Sequence, residues 1–200
     1  MNKRLFAAVA AAAIFAAQAA PAATALKTAV FAGGCFWSAE HDIEHTPGVV
    51  KVVVGYAGGT RPGPTYENHE GYLESIRVTY DPAKISYPKL VDAFFHHIDP
   101  TDPNGQICDQ GPTYRTAVFV ADAAERQAAE QVKEAVHEQL RLPIKTMILP
   151  AGKFWPEPDS HHQHYAEKSP AAYMAYRIGC GRDRTLKAVW AKAPGGLASR

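Results

Sequence analysis

Residues 72–80 (YLESIRVTY) alternate so regularly that the chain must build a sheet around them. The strand period of two puts Tyr72, Glu74, Ile76, Val78 and Tyr80 on one side, so a single carboxyl sits among aromatic and aliphatic neighbours. On a buried face, desolvation would raise the Glu74 pKa and leave a proton donor near neutral pH. On an edge strand the same carboxyl would reach water.

Other segments supply the rest of a fold. Residues 28–32 predict a short buried strand, and after Gly33-Gly34 a helix begins with Phe36, Ala39 and Ile43 on one stripe, ended by Pro47-Gly48. The β-branched run 49–56 predicts a second strand, followed by a Gly/Pro-rich loop over 57–64. Ser86 can cap a helix that buries Leu90, Phe94 and Ile98, and the turn-rich stretch 99–112 has the length of a functional loop. Residues 114–120 predict a central strand, and 123–140 a helix with Ala124, Ala128, Val132, Ala135 and Val136 inward. A fifth strand is expected over 144–149, and one short helix over 170–176 within a long irregular C-terminal segment. No repeat or linker interrupts the chain. The imperfect alternation of strands and helices predicts an α+β fold, a two-layer sandwich of mixed β-sheet with helices packed on it, as in a ferredoxin-like plait.

Lys3-Arg4, the apolar run 5–17 and the small residues after it have the pattern of a secretory signal peptide over residues 1–22, cleaved near 19–22. The run falls short of the roughly 20 apolar residues that span a bilayer, and no cysteine follows to take a lipid. A single domain over 23–200, exported to the periplasm or beyond the cell, is therefore expected. Net charge of +1 with interspersed signs gives no field for nucleic acid or an anionic membrane surface, so a partner would be recognised locally.

Cys35, Cys108 and Cys180 form neither a CxxC pair nor a four-cysteine zinc pattern. An odd thiol in an exported chain is either used or deeply buried. Cys35 follows two glycines where a strand meets a helix, a place where free N–H groups and the helix dipole favour a thiolate. Phe36 and Trp37 add aromatic surface beside it. A packed structural cysteine is the competing reading, equally compatible with this placement alone. Asp109 and Tyr114 flank a turn at the start of the expected central strand, where a phenol can donate to a substrate oxygen, although ordinary turn chemistry also accounts for them. His161, His162 and His164, with His96-His97 elsewhere, raise metal binding. Adjacent histidines in an irregular segment rarely converge and no HExxH spacing occurs, so no metal site is expected. Arg115, Arg177 and Arg182 read as structural or solvated charges.

The run Gly33-Gly34-Cys35-Phe36-Trp37 resembles the nucleophile signature of the A-type peptide methionine sulfoxide reductases. Gly55-Tyr56-Ala57-Gly58-Gly59, Pro64-Thr65-Tyr66-Glu67, residues 74–82, Asp99-Pro100-Thr101, residues 109–115 and His162-Gln163-His164-Tyr165 agree in order, so the resemblance extends over about 28–170. It implies that Cys35 attacks the sulfoxide sulfur and that Phe36 and Trp37 hold the S-methyl group. Glu74, with Tyr66 and Tyr114, would handle the oxygen, while Asp109 orders the site. It further implies the S epimer, a sulfenic acid on Cys35, no cofactor and an external thioredoxin-like thiol reductant; a monomer is expected. Methionine oxidation is the lesion such enzymes reverse.

Two features depart from the family pattern. Between Tyr66 and Glu74 the chain is about four residues shorter, with Tyr72 in place of the usual histidine two positions before the acid. Ala172-Tyr173-Met174 stands where many members carry a recycling cysteine. The next thiol, Cys180, lies between Gly179 and Gly181, glycines that favour a mobile backbone, and is expected to be the resolving thiol, with Cys108 as its competitor. Two other classes remain open on residues alone: a thiol peroxidase, and an exported His-rich metal-binding protein.

Overall fold

The computed structural model describes residues 25–191, so the expected leader over 1–22 lies outside the described residues. Strand β1 (Lys27–Ala32) leads into helix α1 (Phe36–Ile43), then β2 (Val49–Ala57), β3 (Leu73–Tyr80) and α2 (Tyr87–His96). A small hairpin of β4 (Gly105–Gln106) and β5 (Asp109–Gln110) and a 3-10 turn (Pro112–Tyr114) precede β6 (Ala117–Val120), α3 (Ala123–Leu140), β7 (Met147–Pro150) and β8 (Trp155–Pro156). The chain continues through a second 3-10 turn (Ser160–His162), α4 (Tyr165–Lys168), α5 (Pro170–Cys180) and α6 (Arg182–Trp190).

The main sheet runs β7-β6-β1-β3-β2-β8, antiparallel except for the β6–β7 pair. β3 is therefore interior, with Ile76 opposite Phe31 of β1 and Val54 of β2. One sheet face, carrying Phe31, Val54, Ile76, Val78 and Val118, packs on buried residues of α1, α2, α3 and α6. The other face gathers Ala32, Ala57, Ala117 and Phe119 under Phe154 and has no helical residue in its cluster. This is the expected α+β architecture of mixed sheet and helices. No helix among the described residues is long and apolar enough to cross a membrane.

Several local expectations shift. The segment expected as a strand over 114–120 begins instead in a 3-10 turn after Gly111, so β6 starts at Ala117 and is flanked by β7 and β1. Helix α3 buries Ala129, Val136 and Leu140, with Val132 packed beside them, while Ala124 and Ala135 face solvent. Alanine is too small to mark which stripe is inward, and the larger side chains set the rotation. Ser86 occupies the start of α2 without a side-chain cap bond.

The C-terminal segment is not irregular. Tyr173, Leu186 and Trp190 are buried, and the Trp190 indole N–H donates to the Ile98 carbonyl at 3.0 Å. Burial on that scale organises α5 and α6 despite the glycines, which here serve geometry: Gly179 lies within α5, and Gly181 at φ +67° turns the chain directly from one helix into the next. Asp42 of α1 locks this corner by accepting from Arg177 at 2.7 Å and from Arg182 at 2.9 Å. Both arginines are thus structural.

Candidate active site

The nucleophile turn is held by packing on both sides. Gly34 has φ +83°, and a Cβ there would stand 2.4 Å from the Gln106 Cβ. Glycine is what lets β4 settle on the turn. Gln106 is itself buried, donating to the Asp99 carbonyl at 3.0 Å and accepting from the Asp99 N–H at 2.7 Å, so the loop expected to be functional is stitched over Cys35.

Cys35 sits at the N-cap of α1, only 6% exposed, and is a free thiol. The expectation of a thiolate there does not hold in this closed arrangement. Burial, then the charges of Glu74 and Asp109, push its pKa up to about 12, against weaker opposing bonds from the Tyr176 hydroxyl and the Ser38 N–H. The first free N–H of the helix is not spent on sulfur either. Phe36 N–H donates to Glu74 Oε2 at 2.9 Å.

That bond brings the acid of β3 to the base of the nucleophile helix. The whole face Tyr72, Glu74, Ile76, Val78 and Tyr80 is buried, so the buried-face reading of the strand is the correct one. Burial raises the Glu74 pKa to about 8; the Phe36 N–H opposes this, and the charges of Asp109 and Glu157 add to it. Glu74 is consequently a protonated acid at neutral pH.

Aromatic rings form the wall. Phe36 is fully buried, with its ring 6.2 Å from those of Trp37 and Tyr66. Tyr66 reaches the site despite the shortened loop, stacking 5.9 Å from Trp37. Burial and the charges of Glu74 and Cys35 push the Tyr66 hydroxyl up to about 12 and raise Tyr114 as well, which keeps both phenols protonated. Asp109 accepts from the Tyr176 hydroxyl at 2.5 Å. Cys35, Phe36, Trp37, Tyr66, Glu74, Asp109 and Tyr114 thus gather in one place.

Three residues join them to which the sequence reading gave no place in the site. His69, from the shortened loop, brings Nε2 to 3.9 Å from Glu74 Oε1, while Tyr72 turns its hydroxyl to the Arg61 carbonyl. His162 is buried and stacks 4.1 Å from Tyr66 and 5.6 Å from Trp37. It is part of the wall, and His164 instead approaches Glu40 at 3.4 Å, so the histidines expected to compete as a metal cluster do not converge. Tyr176 is the third. Its signal was available, since a helix extended to residue 180 sets Tyr176 and Cys180 four apart on one face. Cys180 itself is disulfide-bonded to Cys108, with Cα atoms 5.3 Å apart.

A buried thiol, a neutral carboxyl beside it and a ring wall define a thiol enzyme shaped for a small apolar group carrying a proton-accepting atom. The sequence matches the family model described as peptide methionine sulfoxide reductase over residues 27–194, and the chain belongs to that family, in its A-type branch. It is 48% identical over 178 residues to the peptide methionine sulfoxide reductase MsrA 2 of Caulobacter vibrioides, covering 86% of this chain and 90% of that protein. Its fold is similar to methionine sulfoxide reductase A of Corynebacterium diphtheriae, with TM-score 0.68 and 33% identity over 72% of this chain and 76% of the other. It is also similar to Mxr1 of Saccharomyces cerevisiae solved in complex with Trx2, with TM-score 0.50 and 26% identity over 74% of this chain and 89% of that one.

Proposed function

We propose that this reductase acts on the S epimer of methionine sulfoxide, in proteins and as the free amino acid, through a sulfenic acid on Cys35. The observation that carries the reading is the Phe36 N–H bond that holds a neutral Glu74 beside the buried thiol. Cys35 sulfur attacks the sulfoxide sulfur while Glu74, with Tyr66 and Tyr114 donating hydrogen bonds, protonates the oxygen. The methionine S–O bond breaks, the hydroxyl passes to Cys35 as methionine leaves, and the thiol proton returns to the Glu74 carboxylate, so the thiol has become sulfenic acid. The half-buried indole of Trp37 and the ring of Tyr66 receive the methyl group.

Recycling needs two further thiols. Cys180 attacks the sulfenic acid, releasing water and forming a Cys35–Cys180 disulfide. Cys108 then attacks Cys180, freeing Cys35 and leaving the Cys108–Cys180 bond found in the structure. Cys108 is exposed, so a dithiol donor can reach that bond from solvent. The Mxr1–Trx2 complex of the yeast relative supports a thioredoxin-like donor. Lys3-Arg4 and the apolar run 5–17 support work in an exported compartment.

The test supplies each sulfoxide epimer separately, with dithiothreitol as reductant, to the wild type and to Cys35→Ser. Methionine should form from the S epimer only, and not with Cys35→Ser. Full activity in the serine variant would remove the mechanism. Intact mass after one equivalent of sulfoxide without reductant should show conversion of the reduced protein to a disulfide.

A further inference from the structure

Tyr176 and Asp109 connect two thiol centres that recycling must couple. The Tyr176 hydroxyl donates to Asp109 Oδ2 at 2.5 Å and also lies within hydrogen-bonding reach of the Cys35 sulfur. Its ring stands edge-on to Trp37, centroids 6.4 Å apart. At the far end, a carboxylate oxygen of Asp109 and the sulfurs of Cys108 and Cys180 all lie within 4.8 Å of one another. The polar groups therefore follow one another from Cys108 through Asp109 and Tyr176 to Cys35. The covalent frame keeps them in order, because Asp109 follows Cys108 at the β4–β5 hairpin and Tyr176 precedes Cys180 by one turn of α5.

We infer that Asp109 and Tyr176 are further catalytic residues of the recycling step, carrying the proton of Cys108 to Cys35 as the disulfide moves from Cys35–Cys180 to Cys108–Cys180. This deepens the recycling order proposed above and rests on it. Asp109 takes the proton of Cys108, whose sulfur attacks the sulfur of Cys180. The Cys108–Cys180 bond forms, the Cys35–Cys180 bond breaks, and Cys35 leaves with the electron pair. Tyr176 gives its hydroxyl proton to Cys35 and regains one from Asp109. One proton has then moved between thiols, one disulfide has replaced another, and no outside oxidant or reductant is consumed.

The surroundings explain why such a path is needed. A thiolate released at Cys35 would face Glu74 of β3, Asp109 of β5, Tyr66, Tyr114 and the Tyr176 hydroxyl, in a site where burial resists charge on sulfur. A sulfur that holds its proton so firmly is a poor leaving group unless a proton is delivered to it. Asp109 is partly buried, which raises its carboxyl above the ordinary range and lets it hold a proton in transit, with Tyr176 and the Arg182 charge of α6 acting the other way.

Fully reduced protein is mixed with one equivalent of methionine sulfoxide, quenched in acid at intervals and alkylated, and its disulfides are located by peptide mass. Wild type should pass through Cys35–Cys180 to Cys108–Cys180. Tyr176→Phe keeps the ring against Trp37 but has no proton, so Cys35–Cys180 should persist on the order of tenfold to a hundredfold longer at pH 7. Asp109→Asn should be slowed similarly. Its defect should shrink as pH approaches the ordinary thiol pKa of about 8.5, where Cys108 ionises unaided. The Tyr176→Phe defect should not shrink, because Cys35 still lacks its donor; a packing fault gives no such contrast. Conversion by Tyr176→Phe at the wild-type rate, or an Asp109→Asn defect as large at pH 9 as at pH 7, overturns the path. Failure of the wild type to form either disulfide would instead overturn the recycling order beneath it.

Discussion

Replacing Glu74 by Gln tests the centre of the mechanism, because the structure separates what this side chain holds from what it donates. Glutamine keeps a carbonyl oxygen to accept the Phe36 N–H now bonded at 2.9 Å, and it has almost the same volume. At pH 7 the native state keeps a Glu74 proton that the unfolded carboxyl gives up, so glutamine, which needs no proton, should raise the unfolding free energy and not lower it. The proton is lost, however. General acid catalysis contributes on the order of 10²- to 10⁴-fold, or about 3 to 5 kcal/mol of barrier, and the methionine formed in a single turnover should slow accordingly.

The pH dependence gives the sharper sign. With its pKa raised to about 8, Glu74 is about nine-tenths protonated at pH 7 and about one-tenth at pH 9, so the wild-type rate should fall across that interval. Ionisation of Cys35 rises with pH and would push the rate the other way, so a falling limb cannot come from the thiol. In Glu74→Gln that limb should be gone. Rapid-quench measurement of methionine between pH 6 and pH 9.5, in three-component buffer at constant ionic strength, decides the matter. A variant within about threefold of wild type at pH 7, well below the usual contribution of an acid, would refute the assignment. So would a wild-type profile that stays level or rises through pH 8.

Other perturbations follow from the same packing. Asp42→Ala leaves the buried Arg182 without its carboxylate and Arg177 with only that of Asp183, and thermal or urea unfolding should register a loss of roughly 3 to 5 kcal/mol. Burial opposes ionisation of Asp42, but Arg182 and then Arg177 outweigh it and lower its pKa, so its contribution is present above the unfolded carboxyl value and fades as pH falls below it. Glu40 behaves oppositely. Burial raises it to about 8, despite the His164 N–H bond, so the native state keeps a proton that the unfolded state gives up, and stability should decline as pH rises from about 4.5 to about 8. Glu40→Gln should flatten part of that decline in denaturant titrations at stepped pH. Gly34→Ala forces a Cβ against Gln106 at φ +83° and should cost about 1 to 3 kcal/mol of stability, with turnover falling as β4 lifts from the nucleophile turn.

The parts of the site legible in the sequence are those set by local rules. The alternation of residues 72–80 located Glu74 on a buried face, and the Gly-Gly step marked the start of the nucleophile helix, because strand period and glycine geometry act over a few residues. Tyr66 was reached through family resemblance alone, whereas Tyr114 was marked by its place beside a turn, where ordinary turn chemistry competed. His69 and Tyr176 escaped, and His162 was weighed only as a metal ligand, for a physical reason: each is delivered by a loop or a helix whose position depends on contacts distant in sequence. The Tyr66–His162 stack spans nearly a hundred positions, and no window-based reading registers it. Of the closing helices only a short one over 170–176 was expected, because Gly179 and Gly181 suggested a flexible segment, whereas Trp190 and Leu186 bury enough surface to order it. The charge state of Cys35 was misjudged in the same way. Helix-start electrostatics were visible, but the overlying loop and α5, which remove water from the sulfur, were not.

One physical condition serves two groups with opposite needs. Burial holds Glu74 neutral, as proton donation requires, and the same burial keeps Cys35 a thiol, as attack on sulfur does not. The conflict is resolved if the substrate itself supplies the missing base. The sulfoxide oxygen gains negative charge as the sulfur is attacked, and its proton comes from Glu74, whose carboxylate is then the nearest acceptor for the Cys35 proton. The two raised pKa values thus describe a site that is quiet when empty and becomes reactive when a polarised S–O bond is seated against Trp37. An enzyme working among oxidants gains from that arrangement, because peroxide reacts with thiolates far faster than with thiols. Substituting Asp109 by Asn removes one of the charges that raise Cys35, and at pH 6 burial still keeps Glu74 largely protonated although it loses the same charge. Its Cys35 should therefore be alkylated by iodoacetamide faster than the wild-type thiol at pH 6, as followed by intact mass. An unchanged or slower rate would show that desolvation alone sets the restraint on the nucleophile.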